Sequence, residues 1–167
     1  LTNEEGALLM ALGKTLSARP VFVSPEPNDL ADDLLHTGDP CPNRRGLSEL
    51  GFDGLPPAEV LAAARERESV LLVGERLIDL LGPDELAALP ESLRVILFEC
   101  HYVDSPAIDV AVGIPDYVER EGTWTNLGGH VGTIAPARPA PDGVWRTKRA
   151  LDHLHSLIAS ESEVSAS

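Results

Sequence analysis

Residues 69–74 read Ser-Val-Leu-Leu-Val-Gly, and residues 93–98 read Leu-Arg-Val-Ile-Leu-Phe. Apolar runs of this length, continuous rather than alternating, are typical of strands that are covered on both faces. Residues 20–24 and 107–114 predict two further strands. Helical patterns alternate with these strands, so we expect an α/β fold. It should be Rossmann-like, with a mostly parallel sheet, helices on both faces and a short irregular carboxy-terminal segment.

The first helix is predicted from Thr2-Asn-Glu-Glu5, a capping-box pattern in which Thr2 and Glu5 each bond the other's amide. Leucines then recur at helical spacing, namely Leu8, Leu9, Leu12 and Leu16. Further helices are predicted at 57–67, 75–81, 83–89 and 147–159. Residues 25–57 predict an irregular crossing with a helical turn near 30–35. Residues 1–159 therefore predict a single domain, followed by a disordered tail at 160–167.

Composition excludes several classes of function. The 167 residues hold 13 Lys plus Arg against 27 Asp plus Glu, a formal net charge of -14 with a pI near 4.6. Such a chain repels phosphate backbones and anionic lipid, so we expect no nucleic-acid partner. No apolar run approaches the roughly 20 residues that span a bilayer, so we expect no direct membrane insertion and a cytoplasmic location. Most of the acidic residues are expected to form a solvated surface.

Residues 119–132 carry a recognisable motif, Glu119-Arg-Glu-Gly-Thr-Trp-Thr-Asn126-Leu-Gly-Gly129-His-Val-Gly132. It resembles the E-K-x-G-T-F-T-N-x-E-G-R-V-Q signature of the molybdopterin oxidoreductase superfamily. Residues 39–51 resemble that superfamily's D-K-N-P-N-T-R-G-A-x-x-L-G, and residues 2–5 its T-N-E-E. Residues 69–75 and 103–115 are similar to its A-L-Y-V-V-G-E and L-T-E-T-A-x-x-A-D-V-V-L-P. Together they resemble the carboxy-terminal part of the large iron–sulfur subunit of bacterial NADH-quinone oxidoreductase, respiratory complex I.

This resemblance implies a non-catalytic structural domain that supports the peripheral arm in NADH-to-quinone electron transfer. Its partners would be the other domains and subunits of that arm, on the inner face of the membrane. The iron–sulfur clusters and FMN would belong to other parts of the complex. Two cysteines are too few for a cluster of this chain's own, which usually needs four thiolates. We therefore expect no cofactor and no catalytic centre here, and interpret the chain, which begins with Leu, as the tail of something longer.

Two alternatives remain open at this point. The chain could be a molybdopterin- or nucleotide-binding piece of an oxidoreductase, with Glu119, Asn126 and Gly129 lining the site. It could also be a free-standing acidic ligand-binding domain. Gly128 and His130 replace the Glu and Arg of the signature, which argues against a bound pterin. Asn and Gly are also the residues that a tight turn needs, so a structural turn is the favoured interpretation of this segment.

Other polar residues predict no catalytic or metal site. Gly74-Glu75 follows a strand and opens a helix, but one glycine beside acidic residues is a weak signal for an anion site. Cys100 and His101 should face opposite sides of a regular strand. His153 and His155 lie about 200° apart around a helix axis. Cys41 lies near Arg44 and Arg45, which would favour a thiolate, yet no orienting base accompanies it in the sequence.

Overall fold

The computed structural model describes residues 1–24 and 41–165, with side chains described as far as Ser160. In these ranges the helices are α1 (Asn3–Thr15), α2 (Arg44–Glu49), α3 (Pro57–Arg65), α4 (Leu77–Leu81), α5 (Pro83–Ala87) and α6 (Thr147–Ser165). The strands are β1 (Val21–Val23), β2 (Asp53–Leu55), β3 (Ser69–Val73), β4 (Arg94–Glu99), β5 (Val110–Gly113), β6 (Gly122–Thr125) and β7 (Val131–Ile134). A 3-10 helix spans Tyr117–Glu119.

The central sheet has the order β3-β4-β5, and all its strands are parallel. Successive side chains of a strand point to opposite faces of the sheet. Leu72 and Leu97 accordingly join a core covered by α3, α4 and α5. Phe98 joins a second core, against α1 and α6, with Leu71 packed at its margin. The α/β fold, the parallel sheet and the helices on both faces are therefore confirmed.

The parallel strands do not form one continuous sheet within the described residues. Strand β1 pairs with β2 in a separate two-stranded parallel sheet, and β6 with β7 forms an antiparallel hairpin. The prediction of an irregular chain from residue 41 to 57 was wrong, since α2 and β2 lie there. Strand β2 reads Asp53-Gly-Leu55, and a single apolar residue gives no strand periodicity. The predicted turn at residues 30–35 lies outside the described residues.

The predicted helix starts hold better than the predicted ends. In α1, Thr2 Oγ1 accepts from Glu5 N at 3.2 Å, and Glu5 Oε2 accepts from Thr2 N at 2.9 Å, so the capping box is confirmed. Leu16, expected on the apolar face, is instead the exposed C-cap. Helix α6 begins at Thr147 as predicted but runs to Ser165, six residues past the predicted end at 159. Its last turns contain no Gly or Pro that would stop a helix, so only the predicted end of the helix was wrong.

Candidate functional site: a polar junction around strand β6

Three segments that carry the family resemblance meet around β6. Asn3, at the start of α1, donates from Nδ2 to Thr123 Oγ1 and Thr125 Oγ1, both at 3.1 Å. The neighbouring Glu4 carboxylate accepts from Thr123 N at 2.9 Å and from Thr123 Oγ1 at 2.8 Å. Asn43, the residue before α2, accepts at Oδ1 from Thr125 N at 2.8 Å. We call this set of five residues the β6 junction. It joins β6 to two segments that each lie more than 70 residues before it in the chain.

Position 46, beside the β6 junction, has no space for a side chain larger than that of glycine. A Cβ on Gly46, in the first turn of α2, would overlap Asn3 Oδ1 and Asn43 Oδ1. The Asn43 amide also donates from Nδ2 to Leu1 O at 3.0 Å, so this side chain is fixed at both ends. Glycine at position 46 therefore permits α1 and α2 to approach the same strand.

Hydrogen bonds determine the charge state of Glu4, the one carboxyl group of the β6 junction. Partial burial alone would raise the pKa of Glu4, but the bonds from the Thr123 amide and hydroxyl outweigh it and lower that pKa below its usual value. Glu4 is therefore a carboxylate at neutral pH, and both its oxygens already have donors within the chain. This arrangement supports a structural clamp more directly than an acid or base catalyst, which needs a free proton-transfer position.

A buried ion cluster adjoins the junction at Arg120. The guanidinium donates from Nε to Pro115 O at 2.9 Å, and its Nη1 lies 3.5 Å from Glu5 Oε2. Its Nη2 lies 3.0 Å from Glu75 Oε1 without hydrogen-bond alignment, so we treat that contact as an ion pair. The Arg120 side chain is only 3% exposed. Burial raises the pKa of Glu75, and the Arg120 charge opposes that shift.

The three candidate pterin-contacting residues are not brought together. Asn126 and Gly129 both lie in the turn of the β6–β7 hairpin, where Asn126 Oδ1 accepts from His130 N at 3.0 Å and Gly129 N donates to Asn126 O at 2.9 Å. Gly129 has φ +85° and lies against the Arg45 guanidinium. Glu119 lies beyond the other end of β6, about 13 Å of strand away. Its carboxylate accepts from Asp116 N at 3.0 Å and from Arg138 Nε at 2.9 Å.

The possible anion site after β3 is filled by a side chain. Glu99, the last residue of β4, accepts from Arg76 N at 3.0 Å and from Leu77 N at 2.9 Å. These amides open α4, and Arg76 has the left-handed φ of 52° that turns its N–H toward the carboxylate. Glu99 is buried. A phosphate would have to displace this carboxylate, so the weak sequence signal at Gly74 and Glu75 gains no support.

Cys100 and His101 lie together, so the prediction that they face opposite sides of a strand was wrong. Strand β4 ends at Glu99, and the chain bends immediately after it, so the alternation of a regular strand does not apply. Cys100 Sγ lies 3.1 Å from His101 Nδ1 and 3.3 Å from Glu99 Oε1. Burial, followed by the bond to Glu99, raises the pKa of the Cys100 thiol to about 12. Without a metal, this thiol is therefore a poor nucleophile.

The remaining histidines and Cys41 form no such group among the residues with described side chains. His153 lies beside the Trp145 ring, with centroids 5.5 Å apart, whereas His155 Nε2 lies 2.9 Å from Thr15 Oγ1. The two histidines therefore contact different residues, as their predicted separation around the helix axis implies. Cys41 is half-buried and is not part of a disulfide. Of the two arginines near it in sequence, Arg45 bonds Glu49 Oε1 at 2.7 Å and Leu127 O at 2.9 Å.

An apolar cavity of about 750 Å³ lies between the two parallel sheets. Residues of β1 and β3 line it, and so does Trp124 of β6. The Trp124 ring is half-buried, as expected for an indole, but its buried Nε1 has no hydrogen-bond partner among the described residues. A buried indole N–H usually has a hydrogen-bond partner, but most of the residues that line this cavity are apolar.

Asn3, Asn43 and Gly46 lie within the recognised motifs, yet the sequence alone assigned them no role. The resemblance could have pointed to the two asparagines, since the motifs at residues 2–5 and 39–51 each place an Asn beside charged residues at the start of a helix. Arg120 and Glu99 were missed altogether. A charged residue inside an apolar or turn-forming stretch is a signal for a buried ion or cap, and Glu99 directly follows Val-Ile-Leu-Phe.

Comparisons of the chain with protein-family models, curated proteins and solved structures found no match. Among the described residues, no helix combines the length and apolar character needed to cross a membrane.

Proposed function

We propose that this chain is a non-catalytic structural domain of the large iron–sulfur subunit of respiratory complex I. It would support the peripheral arm, while clusters and FMN are held elsewhere in the assembly. One observation carries the proposal. The polar side chains of the signature and its companion motifs bond one another in the β6 junction, and Asn126 and Glu119 bond the adjacent backbone. These contacts support a role of the side chains in the fold rather than in binding a pterin.

The exposed apolar side chains near the hairpin support a docking role. Val131 is 65% exposed, Tyr117 is 59% exposed and Leu127 is 43% exposed. Tyr102, in the loop after β4, is 92% exposed. Aromatic and aliphatic residues of this kind commonly anchor protein interfaces, where they become desolvated. Neighbouring domains of the peripheral arm would cover them.

The proposal is tested in the cells that the chain comes from. An affinity-tagged copy is expressed there, membranes are solubilised mildly, and the extract is separated on a native gel. We expect the tagged chain to migrate with NADH dehydrogenase activity and with the subunits that hold FMN and the clusters. Migration of all the tagged chain alone would refute the proposal.

A matched pair of variants makes the gel experiment sharper. Val131→Glu places a charge on the exposed hairpin and should deplete the chain from the assembly. Leu157→Glu introduces the same charge at a residue that is 50% exposed on α6, away from the hairpin. It should leave assembly unchanged. Thermal melts of both purified variants check that neither change acts through unfolding, since exposed substitutions usually shift stability by less than about 0.5 kcal/mol.

A second candidate function is binding of an apolar ligand in the cavity between the sheets. Its volume falls within the range of small-molecule sites, and Trp124 Nε1 offers an unused donor. Acetophenone and ethylbenzene are similar in size, but only the first has an acceptor oxygen. If the cavity binds ligands, acetophenone should raise the melting temperature more than ethylbenzene, and Trp124→Phe should abolish the difference. The pterin alternative has less support, because Glu119 lies apart from Asn126.

A further inference from the structure

The bend after β4 brings three different metal-binding groups to one point. Glu99 Oε1, Cys100 Sγ and His101 Nδ1 form a triangle with sides of 3.1 Å (sulfur to nitrogen), 3.3 Å (sulfur to oxygen) and 3.5 Å (nitrogen to oxygen). It lies at the carboxyl end of β4, the middle strand of the three-stranded parallel sheet. Binding sites of open parallel sheets are found at this end.

The triangle has the dimensions of a tetrahedral zinc site. Zinc binds thiolate at about 2.3 Å, imidazole at about 2.0 to 2.1 Å and carboxylate at about 2.0 to 2.2 Å, which places tetrahedral ligand atoms about 3.3 to 3.6 Å apart. The three observed separations need to change by only a few tenths of an ångström. A mixed set of sulfur, nitrogen and oxygen ligands also suits zinc better than the hard cations Mg²⁺ and Ca²⁺.

We propose that Glu99, Cys100 and His101 bind one zinc ion, with the fourth coordination position open to solvent. The His101 side chain is 57% exposed, whereas that of Glu99 is 3% exposed. The open coordination position would therefore lie on the solvent side of the ion, near His101. The amides of Arg76, Leu77 and Cys100 orient the Glu99 carboxylate, which is the role that outer hydrogen bonds play around metal ligands. Three protein ligands with one open position are typical of zinc that holds a water or a substrate.

Zinc binding here replaces the thiol proton of Cys100. The Cys100 Sγ–H bond breaks, a sulfur–zinc bond forms, and the proton leaves to solvent, with no change of oxidation state. A divalent cation that coordinates a thiol deprotonates it outright, so the zinc-bound sulfur would be a thiolate. Zinc binding at this point is independent of the complex I proposal, since the ion can be present with or without assembly.

The test uses the full chain, stripped with a chelator and then freed of chelator. Titration with Zn²⁺ followed by calorimetry should show one ion per chain, and Co²⁺ in its place should give a thiolate-to-cobalt charge-transfer band. His101→Ala should weaken binding at least about 100-fold, more than the loss of an outer-shell contact does. Because His101 is exposed, this variant should remain folded. Cys100→Ser should also remove the cobalt band.

Cys41→Ser is the matched control, because it removes the only other thiol and should leave affinity and the cobalt band intact. His130→Ala is the control for the histidine variant, at an exposed hairpin position. Absence of stoichiometric zinc binding overturns the proposal. So does binding that survives both Cys100→Ser and His101→Ala, and so does an equal loss of binding in Cys41→Ser.

Discussion

Replacing Arg120 by methionine tests the buried ion cluster next to the β6 junction. The guanidinium is 3% exposed and faces Glu5, which is 5% exposed, and Glu75, which is 24% exposed. Arg120→Met keeps most of the side-chain volume but leaves two partly desolvated carboxylates without their cation. Removal of one partner from a buried ion pair costs about 3 to 5 kcal/mol. Against a total stability of about 5 to 15 kcal/mol, this loss makes the fold marginal.

The measurement is thermal unfolding followed by circular dichroism. A loss of this size should lower the midpoint by roughly 6 to 20 °C in a chain of this length. Arg19→Met is the control, because it breaks the exposed ion pair with Asp53, whose two side chains are 55% and 62% exposed. Exposed pairs contribute about 0 to 1 kcal/mol, so this midpoint should hardly move.

The effect of Arg120→Met should also depend on pH. Burial raises the folded-state pKa of Glu75, so its charged form is disfavoured in the fold, and the Arg120 charge counteracts this. Without Arg120, the penalty is present above the folded pKa of Glu75 and is relieved as pH falls through that value. The double variant Glu5→Gln/Arg120→Met should recover part of the lost stability, because Gln keeps the capping box without the charge. Equal stability of Arg120→Met and the parent, or a loss independent of pH, would refute this reasoning.

Three further predictions concern the sheet and the β6 junction. Leu72→Asp should prevent soluble folding, because an unpaired carboxylate in the core costs several kcal/mol; a soluble variant that melts cooperatively would contradict this. Gly46→Ala should lower stability by about 1 to 3 kcal/mol in denaturant titrations, whereas Gly132→Ala, with no atom near its added Cβ, should not. Thr123→Val should cost roughly 1 kcal/mol at neutral pH. Since hydrogen bonding lowers the pKa of Glu4 from 4.5, that difference should shrink as pH falls through the lowered pKa, and an unchanged difference would exclude the bond.

The central sheet could be predicted from the sequence because both its faces are buried. Residues 69–73 and 94–98 are apolar at almost every position, and this pattern has few structural explanations. Helix starts were predictable for a similar reason, since a cap such as Thr2 is a local interaction encoded within four residues. Strand β2 and helix α2 could not be found, because they are short and their stability comes from tertiary contacts rather than from their own periodicity.

The candidate site could be predicted only in part, because its geometry is non-local. The motifs at residues 2–5, 39–51 and 119–132 were recognisable one at a time, but nothing in the sequence shows that they meet around one strand. The relative positions of the Cys100 and His101 side chains depend on where strand β4 ends. Two more residues of regular strand after Glu99, through His101, would have turned these side chains to opposite faces, and strand ends are the least certain feature of any sequence prediction.

The acidic composition also acquires a different physical meaning in the folded chain. The sequence predicts a solvated acidic surface, yet Glu4, Glu99 and Asp109 each accept a hydrogen bond from a backbone amide that is distant in sequence. For Asp109, the bonds from Val95 N and Arg94 lower the pKa. The Glu4 and Asp109 carboxylates each join two segments of the chain while they are ionised, so part of the net charge of -14 takes part in hydrogen bonds within the fold. Acid should therefore loosen β5 and the hairpin at these contacts, and any surface that depends on the hairpin should weaken with them.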